Sequence, residues 1–195
     1  MRPDRIAPAL LAVALLLALA ACARITAVDA GRVTLGSGLS VEGLPGWNRL
    51  PADAFGTDAV WTRDGPALDR LLFIAGRPDG EPLFARPRPR LSLLFRAGMT
   101  PTEVMELWST ELALAGERMV RVGGLLPTVF AGRPGFRFQY AFADRDGLLF
   151  DGYAAGAVAN GRLYLIAFAG TRAHQFRAYW PAVALLINSA RIDPG

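Results

Sequence analysis

The sequence predicts an α+β fold, an antiparallel β-sheet with helices packed on its faces. Three observations carry that expectation. Residues 135–169 read as three consecutive strands separated by turns, a capped amphipathic helix starts near Pro101, and a second helical stretch runs from Thr171 to Arg191. With shorter strand-like runs upstream, the order is strands, helix, strands, helix, which buries apolar faces best as a sheet-and-helix sandwich.

The upstream runs come first. Val33, Leu35, Leu39 and Val41 are strand-like apolar positions, with Gly36 and Gly38 around a turn and Gly43, Pro45 and Gly46 ending the second run. Trp47 opens an irregular stretch. Strands are expected at Ala59–Thr62 and Leu68–Ala75, separated by the turn chemistry of "RDGPA", and "GRPDGEP" closes this block. The segment "RPRPR", Arg86 to Arg90, cannot sit in a central strand because proline supplies no ladder N–H. It reads as an extended connector presenting Arg86, Arg88 and Arg90 to solvent, an acidic partner or lipid phosphate.

In "MTPTEVMELWSTELALAGERM", Thr100 is a natural N-cap, Pro101 fits the first helical position, and Glu103 completes a capping box. Val104, Leu107, Trp108, Leu112 and Ala115 recur at helical spacing and form a docking face. Gly116 marks the stop.

From Gly135, Phe136, Phe138, Tyr140 and Phe142 alternate with Arg137 and Gln139, the period of a half-buried strand. Asp144–Gly147 supplies a turn, a second strand runs from Leu148 to about Val158, and Asn160-Gly161 is the preferred type I′ hairpin dipeptide before a third strand, Arg162–Ala169. Gly152, Ala154, Ala155 and Gly156 are small enough to let a helix lie close. The C-terminal stretch carries Phe176, Trp180, Val183, Ala184, Ile187 and Ala190 at helical spacing, with Pro181 either kinking one helix or starting another; either way Trp180 is expected to be buried.

The N-terminus adds a different signal. Met1 to Arg5 is a short basic region, and Ile6 to Ala21 is an apolar run of export-signal length, shorter than a comfortable membrane span. The run ends in Leu19-Ala20-Ala21-Cys22, which holds the only cysteine of the chain and resembles the bacterial lipobox. That resemblance implies cleavage after Ala21, a diacylglyceryl thioether on Cys22, usually with an amide-linked acyl chain, and a membrane anchor through the N-terminal lipid. Two or three acyl chains make release negligible. The alternative is an ordinary signal cut at Ala-x-Ala with Cys22 left as a thiol. By resemblance to enterobacterial sorting, Ala23 in the second mature position favours the outer membrane. On this reading residues 22–30 form a lipidated tether and residues 31–195 a single sandwich domain.

Composition narrows the chemistry. The chain has 195 residues and a net charge of +4, and all 21 basic residues are arginine. They are scattered singly between turns rather than set in a stripe with aromatics, so nucleic-acid recognition is not expected. His174 is the only histidine, and with Cys22 the only cysteine, zinc and haem sites of standard type are excluded and no cofactor is expected. No serine sits in a G-x-S-x-G elbow, and the lack of lysine removes Ser-Lys mechanisms. Asp144, Asp146 and Asp151 in "DRDGLLFD" match half of a calcium loop, but the later ligands are missing and hairpin chemistry explains them; no metal is expected.

The Trp47 region, "DGPALDRLLFIAGRPDG", "TPTEVMELW", the "GRPGFRFQYAF" to "NGRLYLIAFAG" meander and the closing "INSARI" together resemble a group of proteobacterial lipoproteins. More distantly they are similar to the PsbP and DcrB-like α/β/α sandwich superfamily. The resemblance spans roughly residues 40 to 192 and implies an extrinsic, often membrane-associated binding or assembly protein. Two function classes follow. One is a non-enzymatic envelope module that meets a protein partner or ligand at the sheet rim near Arg137, Tyr153, Tyr164 or the Arg86–Arg90 loop. The other is an envelope hydrolase using carboxylates such as Glu103, Glu106 or Asp151, which requires a paired, shifted pKa in a cleft.

Overall fold

A computed structural model describes residues 25–51, 55–85 and 93–193. Cys22, Ala21, Arg86, Arg88 and Arg90 lie outside them.

The large sheet has eight strands, all antiparallel to their neighbours, in the order β1-β4-β5-β6-β10-β9-β8-β7. In chain order these are β1 (Thr26–Ala27), β4 (Asn48–Arg49), β5 (Ala59–Thr62), β6 (Asp69–Arg77), β7 (Arg118–Phe130), β8 (Arg133–Ala143), β9 (Leu149–Ala159) and β10 (Arg162–Thr171). A smaller sheet, ordered β11-β3-β2, joins β2 (Arg32–Leu35), β3 (Leu39–Glu42) and β11 (Arg191–Ile192). The helices are α1 (Pro101–Leu114) and α2 (Gln175–Asn188).

Each face of the large sheet has its own core, as period-two alternation requires. One contains Phe136, Phe138, Tyr140, Phe142, Leu163 and Leu165 under Val104, Leu107, Trp108 and Leu112 of α1, with Leu83, Phe84 and Phe95 of the preceding loop. The other contains Phe73, Ala155, Tyr164, Ile166 and Phe168 under Val183, Leu186 and Ile187 of α2 and Leu39 and Val41 of the small sheet. The β8 alternation is thus realised as read, with all four aromatics facing α1.

α1 begins as its sequence dictates. The Thr100 hydroxyl accepts from the Glu103 N–H at 3.3 Å, and the Glu103 carboxylate accepts from the Thr100 N–H at 2.7 Å. That reciprocal bonding lowers the Glu103 pKa. At the Asn160-Gly161 turn both residues have positive φ, 51° and 71°, the type I′ geometry.

Several expectations are corrected. The strand β7 spans 13 residues where none was read, because Gly123-Gly124 and Pro127 look like breakers and two register irregularities disrupt its alternation. The chain joins the sheet earlier than a tether running to residue 30 allows: Thr26 and Ala27 pair with Arg49 and Asn48, and Val28 is buried. Of the two readings of Pro181 the structure has the single helix, but Trp180 is only half-buried rather than buried. Gly152 makes room for the Tyr140 ring and Gly156 for the β10 backbone at Tyr164, so neither serves helix approach.

Candidate functional site

On the α2 side of the large sheet, the helix and the small sheet cover β5, β6, β10 and part of β9. β7 and β8 continue beyond that cover. An open groove of about 510 Å³ results, lined by Arg121, Gly123, Gln139, Ala141, Asp151 and Phe176 among others.

The registers explain its composition. Gly123 pairs with Gln139, which pairs with Tyr153, and Arg121 pairs with Ala141, which pairs with Asp151. Leu126, Arg137 and Ala155 make the next row. Of the lining residues, Gly123, Gly124 and Ala141 are small, and Arg121, Gln139 and Asp151 are polar or charged.

Phe176 of α2 forms the wall, with further rings packed around it. Trp180 lies 4.4 Å from Tyr153 between ring centroids and stacks at 5.9 Å on Phe176, which stacks at 5.6 Å on Phe168. Beside them the Asp151 carboxylate accepts from Arg172 Nε and Nη2 at 2.9 and 2.8 Å, which raises the Arg172 pKa. This pair is substantially exposed, so it orients the two side chains more than it stabilises the fold.

The start of α2 is fixed by a second polar contact. The Tyr179 hydroxyl donates to the Asp64 carboxylate at 2.5 Å, Gln175 Nε2 donates to the same oxygen at 3.2 Å, and Arg63 lies 5.1 Å from the Tyr179 ring centroid. The Tyr179 bond holds the Asp64 pKa below its ordinary value and raises that of the phenol.

The structure brings Arg137 and Tyr153 onto this face, both half-buried. Tyr164 shares the face but is 5% exposed beneath the small sheet, its hydroxyl donating to the Ser37 carbonyl at 3.4 Å. It is a core residue and lies outside the groove. Gln139 was readable from the β8 alternation as a neighbour of Arg137, whereas Arg121 depended on the unread β7 and Phe176 on the depth to which α2 seats.

The carboxylates weighed for acid–base chemistry are not brought together. Glu103 and Glu106 are exposed on α1, across the sheet from Asp151, and Glu103 is occupied in its cap. Asp144 caps its own turn, accepting from the Asp146 and Leu148 N–H groups at 3.0 and 2.8 Å. His174 is exposed at the N-cap of α2 and makes no side-chain capping bond. The residues lining the groove include no serine, cysteine or histidine among those described.

No protein-family model matches the sequence, and no curated protein matches it. Solved structures do match in fold. The solution structure of cyanobacterial PsbP (CyanoP) from Synechocystis sp. PCC 6803 superposes with a TM-score of 0.57 at 14% identity, over 87% of this chain and 95% of that one. LpqN of Mycobacterium tuberculosis, involved in cell envelope biogenesis, superposes with a TM-score of 0.51 at 11% identity, over 86% of this chain and 92% of that one. The fold of this chain is PsbP-like.

Proposed function

We propose that this chain is a lipid-anchored protein of the bacterial cell envelope, held through Cys22 and most simply in the outer membrane, that works as a non-enzymatic binding or assembly module. The observation that carries this reading is the open groove on β7–β9. Its open shape, the Phe176 ring and the hydrogen-bonding groups at Arg121, Gln139 and Asp151 suit recognition of a partner surface better than bond-breaking, which needs a nucleophile or acid held against a base. The anchor reading is supported by the apolar run ending in Leu19-Ala20-Ala21-Cys22 and agrees with the fold shared with an envelope-biogenesis protein.

The anchor is tested by the intact mass of the chain extracted from membranes. Cleavage before Cys22 with an added diacylglyceryl group is expected, and Cys22→Ala should abolish both. An unmodified thiol at residue 22 would contradict the anchor. Binding is tested separately, by crosslinking from the groove in living cells.

A further inference from the structure

We infer that the outer edge of β7 docks an extended, acidic strand of a partner protein. This rests on the binding-module reading and names the partner's chemistry. β7 is 13 residues long, ends the eight-stranded sheet, and among the described residues is paired on one side only, with β8. Such an edge presents a row of backbone N–H and C=O groups that an added strand satisfies. Edges left to water are usually kept free of large apolar side chains, yet Met119, Leu126 and Val129 on β7 are 64%, 48% and 75% exposed. From Leu126 to Phe130 the pairing with β8 is regular, so this stretch is a straight template in which Pro127 offers a carbonyl but no N–H.

The two sides of the template differ in chemistry. Toward α1, Leu125 and Pro127 enclose with Pro101 and Phe136 an apolar hollow of about 280 Å³. On the groove side stand Arg121 of β7 and Arg133 and Arg137 of β8, which share the sheet face of Gln139. Residues 118–143 contain four arginines and no carboxylate. Among the described residues, Arg121, Arg133 and Arg137 have no ion-pair partner.

Because an added strand alternates its side chains between the two faces, the complement is an apolar residue toward the hollow followed by a carboxylate toward the arginines. A second copy of β7 fits poorly, since it brings no carboxylate to the arginines. An anionic lipid surface would meet the arginines but leave the backbone row and the hollow unfilled.

The test uses the full chain in detergent and a short, end-blocked peptide alternating glutamate with valine, read by amide hydrogen exchange. Protection of the amides of Leu126 and of residues 128–130, Pro127 having none, should rise about tenfold at those that face the added strand, and a lysine-for-glutamate peptide should bind about tenfold more weakly. Arg133→Glu with Arg137→Glu should abolish binding while β9 and β10 amides keep their protection, which separates lost binding from lost folding. Equal binding of the lysine peptide, protection confined to other strands, or no binding at millimolar peptide would overturn the inference. So would protection of β7 by phosphatidylglycerol vesicles but not by the peptide. A partner crosslinked from Gln139 without β7 protection overturns the edge and leaves the binding module standing. β7 protection without a Gln139 crosslink supports the edge and removes the groove.

Discussion

The Tyr140 ring lies directly over Gly152, where any Cβ would run into it, and thereby reaches across β9 to donate its hydroxyl to the Phe168 carbonyl at 2.9 Å. One glycine thus lets a side chain of β8 tie itself to β10, with Trp108 of α1 packed edge-on against the same ring at 5.5 Å. Burial pushes the phenol pKa well above its ordinary value, so the hydroxyl remains a donor at every usable pH.

Gly152→Ala should therefore destabilise the fold by about 1–3 kcal/mol through overpacking. Tyr140→Phe should cost about 1 kcal/mol through the lost hydrogen bond. In urea unfolding, Tyr140→Leu combined with Gly152→Ala should lose less than the sum of the two single variants, because the clash is gone. Strict additivity would contradict the contact.

A second relationship holds the α1–β7 corner. Arg70 pairs with Glu117 at 2.5 Å, both side chains nearly buried, and its guanidinium lies 5.0–5.6 Å from the ring centroids of Phe142, Phe55 and Phe150. Glu117→Ala leaves that cation without its partner and should cost about 3–5 kcal/mol. Arg70→Met with Glu117→Leu should recover most of the loss in thermal unfolding. A neutral single variant would show that water solvates the pair.

The β7–β8 hairpin turns at Ala131-Gly132 with φ of 51° and 74°, the geometry that Asn160-Gly161 adopts at the next hairpin. Alanine pays a steric penalty there that asparagine avoids. Ala131→Asn should stabilise the chain by about 0.5–1 kcal/mol in denaturant titration, and no gain would contradict the turn type.

Asp64 gives a pH dependence. Its hydrogen bond from Tyr179 lowers its pKa in the folded chain, so the stabilisation is complete above the ordinary aspartate value and is lost as pH falls through the lowered one. Tyr179→Phe should unfold at lower temperature than the parent near neutrality, and the gap should close in strong acid. A gap that persists unchanged at low pH would assign the effect of Tyr179 to its packing on Trp47.

Much of this was legible in the sequence, for physical reasons that differ by element. The α1 cap, the β8 alternation and the Asn160-Gly161 turn are local signals, each contained in a few neighbouring residues, and the folded chain uses them unchanged. β7 was hidden because Gly123, Gly124 and Pro127 mimic a loop, and only pairing with β8 makes the glycines a register irregularity and Pro127 part of a regular run. Tyr164 looked like a surface ring because nothing local announces that the β2–β3 hairpin folds over it. Arg137 and Tyr153 share the sheet face of the groove without lining it, while Arg121 and Phe176 reach it only through strand order and helix seating.

The central claim is that an anchored chain presents this groove to a partner. A photo-crosslinking residue at Gln139, with the same probe at Glu106 on the opposite face, tests it most directly in living cells. The account predicts one dominant envelope-protein adduct from position 139, none from position 106, and loss of the adduct in a Cys22→Ala background. Equal adducts from both positions, or none from position 139, would contradict it.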